Sequence, residues 1–175
     1  MQIEQSGAPV GEVLSLQDAK DHCGAVDFTD DDAKIEHYIS AAVDFVQDVC
    51  GTRLLRTPFT ATGPSFCLDF TGYPRAEITA AFYVDSLGAV INLDTSQYEI
   101  VNGKLVVHGV SGAVSATVEF NAGLGAGNIP YKLVQAVRLL VAHWYANREA
   151  ADDSGLAAVP FGLRDIFALH RSFAF

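Results

Sequence analysis

The chain has 175 residues, half of them hydrophobic and 18% charged, with a formal net charge of −10. That size suggests one domain, or one domain with an elaborate insertion, able to bury a core without staples. The composition argues against global disorder, and no run of about 18 apolar residues is present to suggest a membrane span.

The charge is unevenly placed. Residues 1–50 hold eleven Asp and Glu against two Lys, and residues 51–175 hold ten acids against nine Lys and Arg. A generic nucleic-acid binder shows the reverse, a basic face that neutralises phosphates. An acidic wall that DNA slides past is compatible with this balance. The opening MQIEQSGAPVGEV has neither a basic flank nor an apolar stretch, so no secretory leader is expected and the protein is expected to work in the cytoplasm, or in something assembled there. Cys23, Cys50 and Cys67 are odd in number and lack a C-x-x-C spacing. They are expected to be reduced thiols, buried or half-buried, and not a disulfide framework or a zinc site.

In chain order, SLQDAKDHC begins with Ser15 and places Asp18 three residues on, a capping-box pattern that opens a short helix. Thr29 and Asp32 repeat the pattern before DAKIEHYISAAVDFVQDVCG. There Ile35, Tyr38, Ile39, Ala42, Val43, Phe45, Val46 and Val49 recur at helical spacing, and Gly51 is placed to end the helix. From Arg53 to about Gly123, short runs rich in Val, Ile, Thr, Phe and Tyr are punctuated by Gly, Pro, Asn and Asp. TPFTATG, SFCLDF, AEITAAFYVDSLGAVINL, SQYEIVNGKLVVHG and GAVSATVEFNAG are therefore read as consecutive antiparallel strands. Asn102-Gly103 supplies the positive φ angles of a type I′ hairpin. Helical texture returns at Pro130, with Val134, Val137, Leu140, Val141, Trp144 and Tyr145 on one side. A small-residue loop, AADDSGLAAVP, leads to a short helix and an aromatic tail. The expected fold class is α+β: two N-terminal helices (14–52), an antiparallel β insertion (53–123), and two C-terminal helices with a tail (129–175), forming a helical bundle with a central sheet.

No local constellation announces catalysis. His143 and Glu149, six residues apart on one helix, diverge by roughly 120° at 100° per residue and cannot act together. AGLGAGN tempts a phosphate-loop reading, but Asn128 stands where the last Gly should be, no Lys-Ser/Thr pair follows, and the preceding strands are hairpins. Its glycines are read as a flexible strand-to-helix connection. Asp30, Asp31 and Asp32 lack the alternation of a calcium loop and suit the positive end of a helix dipole. The five histidines show no i, i+4 pair. No sequence-local pattern points to an enzyme, a metal or a cofactor, and a site assembled from distant residues stays open.

Taken in order, LSLQDAKDHC, DFTDDDAKIEHYISAAVDFVQDVCGTRLL, GYPRAEITAAFYVDSLGAVINLDTSQYEI with Pro74-Arg75, VEFNAGLGAGNIPYKLVQAVRLLVAHWYANREA and VPFGLRDIFALHRSF resemble the head–tail connector (adaptor, or head-completion) family of long-tailed double-stranded DNA phages and gene transfer agents. The likeness runs from about Leu14 to the end. It implies a structural virion protein at the head–tail junction, assembled in the bacterial cytoplasm as a ring of twelve copies beneath the portal. The ring extends the DNA channel and docks a head-completion or tail protein, with passing, non-specific DNA contact and no membrane.

Such a ring needs two unlike faces on each subunit. The acidic helix, with Asp44 and Asp48, offers one; Arg53, Arg56, Arg138 and Arg148 would answer it on the neighbour, joined by His143, Asn147 and Glu149. Arg164, Phe167, His170, Arg171, Phe173 and Phe175 are candidates for docking on portal or tail, because aromatics and Arg dominate interface hot spots. The alternatives are a tail-side completion protein, an assembly chaperone absent from the finished particle, and a small enzyme with a scattered active site.

Overall fold

A computed structural model of the chain describes residues 1–147 and 162–170. The fold is α+β, and the residues form two compact units, each discontinuous in sequence. Among the described residues, one unit comprises 1–11 and 55–125, and the other comprises 12–54, 126–147 and 162–170.

The first unit is built on a five-stranded antiparallel sheet in the order β1-β2-β7-β3-β4. Its strands are β1 (Gln2–Gln5), β2 (Thr57–Gly63), β3 (Glu77–Asp85), β4 (Val90–Asn92) and β7 (Ala113–Ala122). β5 (Tyr98–Val101) and β6 (Lys104–Val107) form a separate hairpin. The strands are antiparallel as their texture indicates, but their order in the sheet is not sequential. β7 is the middle strand because Ala116, Val118, Phe120 and Ala122 are buried on one of its faces while β2 and β3 flank it. Phe59, Tyr73, Phe70 and Phe120 fill the core below, with ring centroids 5.0 to 5.4 Å from a neighbouring ring.

Asn102 and Gly103 have φ angles of 50° and 76°, so the hairpin turn forms as its dipeptide requires. SFCLDF is not a strand. Only Asp69 makes an isolated bridge, to Lys104, while Leu68 and Phe70 drop into the core and exchange backbone hydrogen bonds with Leu105 and Gly103. β1 has no counterpart in the sequence reading; QIEQ is too short and polar to stand out, and it is a strand because the open edge of β2 receives it.

The second unit is helical among its described residues: α1 (Leu16–Cys23), α2 (Asp32–Cys50), α3 (Tyr131–Ala146) and α4 (Leu163–His170). Ser15 caps α1, its Oγ accepting from the Asp18 N–H at 3.1 Å. At α2 the expected Thr29 cap is not made. The N-cap is Asp31 and its side chain makes no capping bond, because it is held by Lys34 and Tyr145 instead. Gly51 ends α2 with φ 62° and an N–H bond to Gln47. On α2 the fully inward positions are Ile35, Ala42, Val46 and Cys50. On α3 they are Leu133, Ala136, Val137, Leu140 and Val141, so the buried stripe is rotated from the expected one and Val134 is only half-buried.

The thiols divide three ways: Cys50 is buried, Cys23 half-buried and Cys67 exposed. The expectation of shielding fails at Cys67, where SFCLDF leaves the sheet and turns alternate residues outward. Burial pushes the Cys23 and Cys50 thiols above their ordinary pKa. The first glycine after β7 is not a slack connector. Gly123 has φ 129°, and a Cβ there would lie 2.0 Å from the Leu55 carbonyl oxygen.

Candidate assembly surface

α2 carries its polar side chains at four-residue spacing. Glu36, Ser40, Asp44 and Asp48 are all exposed, and residues four apart lie one above the next on a helix. They form an acidic stripe opposite the buried one. The acids at the start of the helix are differently used. Lys20, with its side chain 7% exposed, donates to Asp32 at 2.6 Å and ties α1 to α2. Asp31 accepts from Lys34 and from the Tyr145 hydroxyl, each at 3.0 Å, and so ties α2 to α3.

The end of α3 mixes packing with polar edges. Trp144 is half-buried beside Tyr38 and Phe45, at ring distances of 6.4 and 6.5 Å. His143 is also half-buried. Its Nδ1 lies 3.3 Å from the Asn147 amide nitrogen, while its Nε2 is shielded from water and has no hydrogen-bond partner among the described residues. Arg138, one and a half turns earlier, likewise has a shielded Nε without a partner among the described residues. Such nitrogens are rare in folded proteins because their lost solvation is not recovered. Arg138 borders a groove of about 630 Å³ formed by the start of α3 and the turn before it, with Ile129, Pro130, Tyr131, Val134 and Gln135 among its walls.

The other sequence candidates are dispersed. Arg53 is half-buried and engaged in interactions of its own. Arg56 donates to the Arg75 carbonyl at 3.1 Å and pairs with Glu77, so its charge is answered within its own unit. On α4, Arg164 is exposed and His170 half-buried. Phe167 is 7% exposed and packs against Phe45 at 6.0 Å; it belongs to the helical core and presents no docking face. Its position three residues after Arg164 puts it on the same side of the helix by spacing, but the buried stripe of α4 is Leu163 and Phe167. Arg148, Glu149, Arg171, Phe173 and Phe175 lie outside the described residues. The exposed aromatic residues that sequence reasoning missed are Phe28, 64% exposed, and Tyr131, 92% exposed. Each sits where helical or strand periodicity is absent or begins, so no pattern marks it.

Among the described residues, no group of three or more His, Cys, Asp and Glu side chains comes together to hold a metal ion. No described helix is long and apolar enough to cross a membrane. The features that stand out are surfaces: an acidic stripe, a groove bordered by an arginine, and exposed aromatics. The chain belongs to the head completion protein family, whose model matches residues 12–157.

The fold is also that of solved particle components. A chain in the neck of an empty GTA particle computed with C6 symmetry matches with TM-score 0.76 and 22% identity, over 100% of this chain and 97% of that one. A chain in the neck of a native GTA particle computed with C12 symmetry matches with TM-score 0.76 and 23% identity, over the same shares. A chain in the virion of a native gene transfer agent particle matches with TM-score 0.74 and 23% identity, again over 100% and 97%. Identity at this level carries the fold and nothing more specific. No curated protein matches the chain.

Proposed function

We propose that the protein is a structural head–tail connector. Copies of it form a ring at the neck of a phage or gene-transfer-agent particle, extend the DNA channel below the portal, and receive the next head-completion or tail protein. The observation that carries this reading is the whole-chain likeness to neck subunits, which spans both units, joined to membership of the head completion family. Twelve copies is the expected number, because one of the matched necks was computed with C12 symmetry. The role is architectural and not catalytic.

The surfaces fit the reading. A ring needs two different faces that meet head to tail. The acidic stripe of Asp44 and Asp48 belongs to one, and the α3 edge bearing His143 and Asn147 belongs to the other. Arg164 and His170 on α4 are the described residues left for portal or tail contact. A net charge of −10 discourages DNA from sticking to the wall it passes.

The test is deletion of the gene followed by imaging and mass spectrometry of purified particles. The connector reading expects the protein in wild-type particles, and filled or leaking heads without tails when it is missing. Tailed, infectious or DNA-transferring particles in its absence would end the reading.

A further inference from the structure

The loop between α1 and α2 carries Val26 and Phe28 on its surface, 51% and 64% exposed. Asp27 and Asp30 beside them are exposed as well. Single apolar residues on a surface are ordinary. Here, however, the same unit also carries a groove with a basic residue on its border. The α3 groove has a volume of about 630 Å³, more than enough for one aromatic side chain. Its walls are apolar at Ile129, Pro130 and Val134. Arg138 lies on its border.

The charges are complementary over a longer stretch. From Asp27 to Glu36 the sequence holds five acids and one lysine. From Phe120 to Asn147 it holds Lys132 and Arg138 and no acid. Phe28 does not occupy the groove of its own chain, since most of its surface is open.

We infer that the 26–30 loop of one copy seats Phe28 in the α3 groove of the next copy, with the Asp27 and Asp30 carboxylates facing Arg138 and Lys132. This rests on the ring reading above and names the contact that would join its subunits. Each copy gives one knob and takes one, the head-to-tail arrangement that closes into a ring when the rotation allows. The aromatic anchor supplies buried area, and the carboxylates set negative charge opposite Arg138 and Lys132.

The full chain bearing a photo-reactive phenylalanine analogue at position 28 would be mixed with isotope-labelled unmodified chain and irradiated across a concentration series. Mass spectrometry then reports which labelled peptide is captured, and light scattering on the same samples reports assembly. The expected capture is within residues 126–138 of the other copy. Phe28→Ala is expected to weaken self-association roughly 30-fold, as truncation of an interface anchor does, with its unfolding midpoint unchanged. Arg138→Gln should reduce the capture. Assembly with capture elsewhere would overturn this contact and leave the ring reading standing. Absence of any inter-chain capture would overturn the contact outright. The particle-deletion experiment decides the ring reading separately.

Discussion

Tyr145, near the end of α3, donates its hydroxyl hydrogen to Asp31, the N-cap residue of α2, across 114 positions of sequence and 3.0 Å of space. One residue further along, Asp32 accepts from Lys20 of α1 at 2.6 Å. Adjacent aspartates thus tie α2 to two different helices, and the run that resembles a metal-binding cluster is a joint.

The joint sets the first expectation. Asp32→Ala leaves the Lys20 ammonium nearly enclosed and unpaired. Loss of one partner from a fully buried pair costs about 3–5 kcal/mol, and the one-third exposure of Asp32 reduces the figure to about 1–3 kcal/mol. Urea unfolding should show the loss. Tyr145→Phe, which removes one hydrogen bond, is expected to cost about 1 kcal/mol. Equal stability of both variants and the parent would show that the helices are held by apolar packing alone.

Gly123 is the second. Any side chain there meets the Leu55 carbonyl oxygen at 2.0 Å and demands a φ of 129°, which L-residues avoid. Gly123→Ala is expected to lose about 3 kcal/mol or more, through strain added to a steric clash. Gly88→Ala makes the control, since its φ is also positive but nothing lies within 4 Å of the added carbon. Thermal unfolding of the two should separate close approach from backbone strain.

Phe167 separates core from docking. With 7% of its surface exposed and Phe45 at 6.0 Å, Phe167→Ala is expected to lower stability by about 3–5 kcal/mol. Arg164→Ala, at an exposed position of the same helix, is expected to stay within about 0.5 kcal/mol. A portal pull-down with Arg164→Ala therefore reads binding without unfolding, whereas one with Phe167→Ala does not.

Asp69 carries the pH dependence. The Thr71 hydroxyl, then the Thr71 N–H at 2.8 Å, donate to its carboxylate, and Lys104 adds attraction, so its pKa falls below the ordinary carboxylate value. A depressed folded pKa means that this contribution is present above the unfolded value and is lost as pH falls through the folded one. An NMR titration should place the Asp69 midpoint below the ordinary carboxylate value, and Thr71→Val should move it upward. An unchanged midpoint in Thr71→Val would remove the hydroxyl as the cause.

Helix positions and the Asn102-Gly103 hairpin were legible from sequence because their causes are local. A 3.6-residue period, a capping serine, or a dipeptide that tolerates positive φ acts within a few residues. The acidic stripe of α2 was legible for the same reason, since residues four apart must share a face. Strand order was not, because β7 is central only by virtue of what its buried face packs against. Phe28 escaped notice too, lying in a loop where no period reports exposure.

By itself, then, the sequence determined the helices and most of the strands, the acidic and basic segments and the family likeness, all of which depend on neighbours along the chain. The tertiary structure alone decided that Asp31 and Asp32 are joints, that Arg56 is answered by Glu77 and Phe167 is core, and that Arg138 borders a groove. Those outcomes depend on which distant groups arrive beside each residue, and residue type and spacing do not encode that arrival.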